Sequence, residues 1–188
     1  MFVVSICERT ITQSNQITYK FALTYDDAKL IFQTAKQWID RATSYYTMEN
    51  LASDHIQIMQ DASQLYKSLA FFEDDSERQA KMHKRRIDIL ENVIKDLNPM
   101  YYMSFLRQIW YELAETSVEI LDIKLDKMKA SNDIPTPHAL KKVNSLAEQS
   151  IKYFDSFLNS LKQPSSNEMP NKFTEETEKA ALGAYFQI

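Results

Sequence analysis

His55, His83 and His138 are the side chains of this chain best suited to hold a metal or pass a proton, and their spacing serves neither purpose. They fall on three different predicted helices and are not paired four residues apart, as an HExxH zinc site requires. None has a glutamate three residues before it, so the Glu-x-x-His pattern of di-metal helical bundles is missing as well. His83 lies on the apolar seam of its helix and reads as a hydrogen-bonded core or edge histidine. Cys7 is the single cysteine, which excludes an intrachain disulfide and a cysteine-based zinc site. Carboxylates are plentiful, but they stand one turn from opposite charges: Asp74 with Arg78, Glu77 with Lys81, Glu91 with Lys95. Pairs of that kind belong to solvated helix faces and are worth about 0.2 to 0.5 kcal/mol each. No constellation meets the geometric roles of catalysis, so neither an enzyme nor a cofactor is expected.

The densest basic run is KMHKRR, Lys81 to Arg86. Along a helix it wraps through more than one turn and forms no single patch, and acidic residues just upstream offset it. With a net charge of −4, nucleic acid is not an expected partner and a basic protein surface is mildly favoured. Only one glycine, Gly183, occurs among 188 residues. Without glycines there is no phosphate-cradling Walker A loop, no dinucleotide fingerprint and no supply of tight hairpin turns. Met1 to Cys7 has no basic residues before it and is followed at once by Glu8 and Arg9, so it does not read as an export signal. No apolar run approaches the ~20 residues of a membrane span, and no membrane insertion is expected. A lone cysteine fits a reducing, cytoplasmic setting.

Helices are left to position everything. Met1 to Leu23 shows neither helical nor alternating periodicity and is expected to be irregular or poorly ordered. Thr24 caps a first helix running to near Met48, with Ile31, Ala35, Trp38, Ala42 and Tyr45 as its apolar stripe. Ser53 or its neighbour caps a second, with Ile56, Met59, Ser63, Tyr66 and Ala70 facing inward as far as Phe72. A third follows the acidic cluster Glu73 to Asp75 and carries the seam Ala80, His83, Ile87, Leu90, Ile94 and Leu97. Asn98-Pro99 opens a long fourth helix, with Tyr102, Leu106, Ile109, Leu113, Ser117, Ile120 and Lys124 inward, and Thr136-Pro137 opens a fifth that carries Leu140, Val143, Ala147, Ser150, Phe154, Phe157 and Leu161. Linkers are expected near 129–136 and 163–173, and Thr174 opens a short sixth helix. The ten Phe, ten Tyr and two Trp fall mainly on these seams, where large side chains fill interhelical space. The fold class is all-α: antiparallel helical hairpins over 24–188, as a bundle or a solenoid, with no strict period of about 34 residues visible.

Blocks within Ser53 to Tyr102, namely DHIQIMQD, YKSLAFFE, ERQAKMHKRRIDIL and DLNPMYY, resemble the C-terminal half of the kinesin-binding protein family, and RQIWYELAE and IKYFDSFLNSLKQP continue the resemblance. It covers roughly Ala28 to Pro164, fades toward Ile188 and leaves out Met1 to Leu23, so the chain reads as an internal piece of a longer protein. The resemblance implies a tetratricopeptide-like α-solenoid, cytoplasmic and cytoskeleton-associated. It further implies that the solenoid binds the motor domains of a subset of kinesins, blocks their attachment to microtubules, and so affects cargo transport, axon growth and nervous-system development. The alternative is a helical scaffold for other proteins with no motor contact in this region. A motor's microtubule-binding face must be basic, because microtubules are acidic, so the acidic loop of Glu73, Asp74, Asp75 and Glu77 is the expected partner contact. The same four residues also suit a plain helix start, where negative charge complements the dipole. The sixth helix looks too short to cover the stripes of the fourth and fifth, so the isolated chain is expected to self-associate.

Overall fold

Local signals start nearly every helix. The computed structural model describes residues 21–131, 134–163, 168–170 and 172–188, and among these there are six α-helices and no strand. Most of the expected irregular segment, 1–20, lies outside the described residues, as do 132–133, 164–167 and 171 of the two linkers. α1 (Tyr25–Tyr45) opens on a reciprocal capping box: the Thr24 hydroxyl accepts from the Asp27 amide, and the Asp27 carboxylate accepts from the Thr24 amide at 3.2 Å. α3 (Ser76–Lys95) is capped by Asp75, which accepts from the Arg78 amide at 2.8 Å. α4 (Pro99–Ala130) and α5 (Pro137–Ser160) both follow the expected cap-plus-proline pattern, with Asn98 and Thr136 as caps. Thr174 caps α6 (Glu175–Gln187). In α4 the backbone departs from helical geometry at Tyr102, φ −121° and ψ 24°, one turn past the proline.

Two boundaries differ from expectation. α1 stops at Tyr45 rather than near Met48, because a turn in which Asn50 and Leu51 donate to the Thr47 carbonyl takes over. α2 (Ala52–Phe71) begins after Leu51, with no side-chain cap, so Ser53 already lies inside the first turn.

Each helix packs mainly on its neighbours in sequence, from α1 against α2 through to α5 against α6. This is the contact pattern of stacked helical hairpins. One continuous core runs through Ile56, Ile87, Leu90, Leu106, Ile109, Leu113, Phe154 and Phe157. The stripes expected on α3, α4 and the second half of α5 are therefore largely the buried ones. On the first half of α5 Leu140 is exposed and Val143 and Ala147 are only half-buried, because that half of the helix borders an open trough rather than a close neighbour. On α1 the expected stripe is not: Ile31, Trp38 and Tyr45 are exposed, and Ala28 is the buried residue. α1 has two apolar faces and a single close neighbour. It turns the Phe32 face to α2, where Phe32 meets Tyr66 edge to face at 5.0 Å. α6 contributes small residues to the core, Ala181 and Ala184, and leaves Leu182, Tyr185 and Phe186 exposed. Its Gly183 lies so close to Tyr111 of α4 that a Cβ there would stand 2.6 Å from the phenol oxygen. The single glycine serves a close helix crossing rather than a turn.

Candidate functional site

The α2–α3 corner holds the four acidic residues expected to meet a partner, and three of them are engaged within the chain. Glu73 is buried, accepts from the Asp75 amide at 3.1 Å and pairs with Arg78 at 3.1 Å. Arg78 in turn donates to the Tyr25 hydroxyl at 3.2 Å and stacks over its ring, tying the start of α1 to the corner. Asp75 is spent on the α3 cap. Glu77 receives Lys124 at 2.8 Å and Lys127 at 2.8 Å, and these hydrogen bonds hold its carboxyl at about 2. Asp74 stands exposed beside them. The expected one-turn pairs are thus replaced by others. Arg78 pairs with Glu73 instead of Asp74, Glu77 with lysines of α4 instead of Lys81, and Glu91 accepts from Gln149 and Tyr153 of α5. α3 packs on α2 and α4 and meets α5 at Glu91, so Glu77 and Glu91 find donors on other helices, while Asp88 keeps a one-turn partner in Lys84.

Behind the corner lies a charged cluster between α2, α3 and α4 that the sequence reading missed. The basic run Lys81 to Arg86 divides. His83 and Arg86 turn inward, while Lys81, Lys84 and Arg85 stay exposed. Arg86 is fully buried and donates to Ser63 at 3.3 Å, to Glu112 at 3.3 Å and to Glu119. Ser63 donates to the same Glu112 oxygen at 2.5 Å and Gln64 adds a bond at 3.0 Å, while Lys67 pairs with Glu119 at 3.2 Å. Nδ1 of His83 is 3.0 Å from Arg86 and 3.1 Å from Glu119, so it accepts from the guanidinium or donates to the carboxylate. Burial by itself raises the Glu119 carboxyl, but the hydrogen bond from His83 and the charges of Arg86 and Lys67 outweigh it and bring it to about 2. Glu115 receives no side-chain hydrogen bond among the described residues, and desolvation by the packed neighbours of its partly exposed side chain pushes its carboxyl up.

This arrangement ties helices together, and its Lys67–Glu119 edge also lines a hollow of about 230 Å³ beside Glu115. The carboxylates are hydrogen-bonded acceptors and the arginine is sealed in, so the cluster links α2, α3 and α4 through one buried guanidinium. The histidines lie apart: Nδ1 of His55 is bonded to the Tyr46 carbonyl at 2.8 Å, His83 belongs to the cluster and His138 is exposed. Among the described residues no three metal-ligating side chains gather, and no helix is long and apolar enough to cross a membrane. Nothing adjacent in the sequence marks Arg86, since its carboxylate partners stand 26 and 33 residues away. A serine on one predicted seam and two glutamates on the next helix were the available signal.

The comparisons with known proteins agree on one family. The family model "KIF-1 binding protein C terminal" matches residues 5–188, which extends the resemblance into Met1–Leu23 and through to Ile188, where the sequence blocks had not carried it. The KIF-binding protein of Xenopus tropicalis is 43% identical over 166 residues, 88% of this chain and 27% of that protein. The KIF-binding protein of Danio rerio is 40% identical over 187 residues, 98% of this chain and 28% of that protein. The KIF-binding protein of Drosophila melanogaster is 40% identical over 176 residues, 93% of this chain and 29% of that protein. The chain thus spans less than a third of the length of these curated relatives, and no solved structure matches it. Helical hairpins stacked in sequence order, a match over nearly the whole chain and these identities together place it: the chain belongs to the KIF-binding protein family.

Proposed function

We propose that this chain is a non-enzymatic scaffold that binds kinesin motor domains and keeps them from attaching to microtubules. The family match over residues 5–188 supports this reading, because relatives sharing 40% identity or more bear the name KIF-binding protein. Stacked helical hairpins also form extended surfaces suited to gripping a folded partner. On this reading the chain works in the cytoplasm at the cytoskeleton and, through motor control, in cargo transport, axon growth and nervous-system development.

We place the motor contact at the acidic corner of Glu73, Asp74, Asp75 and Glu77. A surface that binds microtubules is basic, and Asp74 is an exposed anion there with no hydrogen bond or ion pair among the described residues. Asp74→Lys should weaken motor binding with little effect on folding. Purified motor domains should be retained by this chain in a pull-down and, in its presence, should fail to sediment with microtubules. Motors retained only by a full-length relative would favour the second reading, a helical scaffold whose motor contacts lie elsewhere.

Self-association belongs to the same proposal. Ile31, Trp38 and Tyr45 on α1 recur every seven residues and are exposed, and Tyr185 and Phe186 extend the exposed apolar surface on α6. Sedimentation across a concentration series should show a rising average mass. A strictly monomeric chain would refute this part alone.

A further inference from the structure

α3 and α5 both pack against α4. At the level of Glu91 they are tied by the hydrogen bonds from Gln149 at 2.9 Å and Tyr153 at 2.8 Å. Between their N-terminal halves, beyond that tie, lies an open trough of about 560 Å³. Its floor is apolar, made by the buried Ala80, Ile87 and Ile120 with half-buried Leu146. Its walls are cationic: Lys81 and Lys84 on α3, Lys124 on α4, Lys141 and Lys142 on α5. A second hollow of about 380 Å³ shares Glu77, Lys124, His138 and Lys142 with the first and carries it past Lys127 to the exposed Ile134.

The charges in this trough do not balance. Among the described residues Glu77 is the single carboxylate lining either hollow, and it is already bound by Lys124 and Lys127. Lys84 has Asp88 at 3.1 Å. Lys81, Lys141 and Lys142 line the trough with no carboxylate partner among the described residues, in a chain whose net charge is −4. Three uncompensated cations around an apolar floor, on an otherwise acidic molecule, define a complement: negative charge flanking an apolar anchor.

We propose that the trough between α3 and α5 docks an acidic segment of another protein, one that carries an apolar side chain into the floor. Other anions fit the same walls less well. No arginine lines the trough to grip phosphate with a two-pronged bond, and no Phe, Tyr or Trp lines it to stack a base. The floor lies below the lysine rim, where a flat bilayer surface does not reach. The proposal stands independently of motor binding at the acidic corner.

The probe is a fluorescein-labelled peptide of about 12 residues, glutamate-rich, with Leu and Phe one helical turn apart, followed by fluorescence anisotropy with the intact chain. Binding should weaken about tenfold or more in Lys81→Glu/Lys141→Glu/Lys142→Glu and fall as salt rises, while circular dichroism is unchanged because all three side chains are exposed. Replacing the peptide's Leu and Phe by Ser should also weaken it about tenfold, since the floor is then left empty. Ser145→Trp, which fills the trough from an exposed position, should block the peptide without reversing any charge. Binding that survives the charge reversal or Ser145→Trp overturns the proposal. So does a single-stranded oligonucleotide or a phosphatidylserine vesicle that binds more tightly than the peptide and is lost with the same substitutions.

Discussion

Tyr153 of α5 donates its hydroxyl hydrogen to Glu91 of α3 at 2.8 Å, and this bond ties two helices that are not neighbours in sequence. Burial, and then the neighbouring carboxylate, raise the Tyr153 phenol well above its ordinary range. A phenol raised in the folded state adds stability that is fully present below its unfolded value and is lost as pH rises through the folded one. Tyr153→Phe should therefore cost about 1 kcal/mol near neutral pH. It should also remove the last-titrating phenol from an ultraviolet titration. Loss of a phenol that titrates in the ordinary range instead would show that the bond does not persist in solution.

Arg86 offers a larger effect. Removing one member of a buried charge cluster leaves the others unpaired, so Arg86→Leu should destabilise by about 3 to 5 kcal/mol in urea unfolding. Replacing Glu112 and Glu119 by Leu in the same chain should recover most of that loss, because a well-packed apolar cluster needs no counter-charge. Additive losses in the triple variant would contradict the reading of these residues as one electrostatic unit.

Acid should loosen the fold through Glu77 and Glu119, both held at about 2. A carboxylate depressed in the folded state contributes stability above its unfolded value, near 4.5, and loses it as pH falls toward the folded value. The urea midpoint should decline between about pH 5 and pH 2. Lys124→Met/Lys127→Met should flatten part of that decline by releasing Glu77. A midpoint independent of pH across that window would rule out both assignments.

Gly183 tests how α6 is seated. Alanine at a helix interior normally gains about 1 kcal/mol over glycine. Here the new Cβ would press on the Tyr111 oxygen, and the Tyr111 ring is held edge to face by Phe154 at 5.6 Å and Phe157 at 5.3 Å. Gly183→Ala should therefore loosen α6, seen as faster amide exchange over 175–187. Adding Tyr111→Phe should reverse the sign, since it removes the obstructing atom. Slower exchange in the single variant would mean that Tyr111 yields.

What the sequence discloses tracks the range of each interaction. The caps at Thr24, Asn98, Thr136 and Thr174 were legible because a cap is satisfied by an amide two or three residues away. The Leu90 and Phe154 seams were legible because burial on both flanks imposes one period. The docking face of α1 was not, since Phe32 and Ile39 form a second apolar row and a helix with one close neighbour can present either. Nor were the partners of Glu77 and Glu91 or the carboxylates that hold Arg86, all supplied by another helix. The trough was hidden for the same reason: its lysines come from three helices, and the KMHKRR run disperses around its own axis.

α4 receives Arg86 through Glu112 and Glu119, Glu77 through Lys124, and the glycine of α6 against Tyr111, whereas α1 leans chiefly on α2. Opening α4 must break every one of these attachments, while α1 can peel away alone. Amide deuteration should therefore spread inward from α1 and α6 and reach the middle of α4 last, a gradient of local opening energies rather than one cooperative melt. Partners that grip an outer helix will feel a compliant surface, and those that reach the sides of α4 will meet a stiff one.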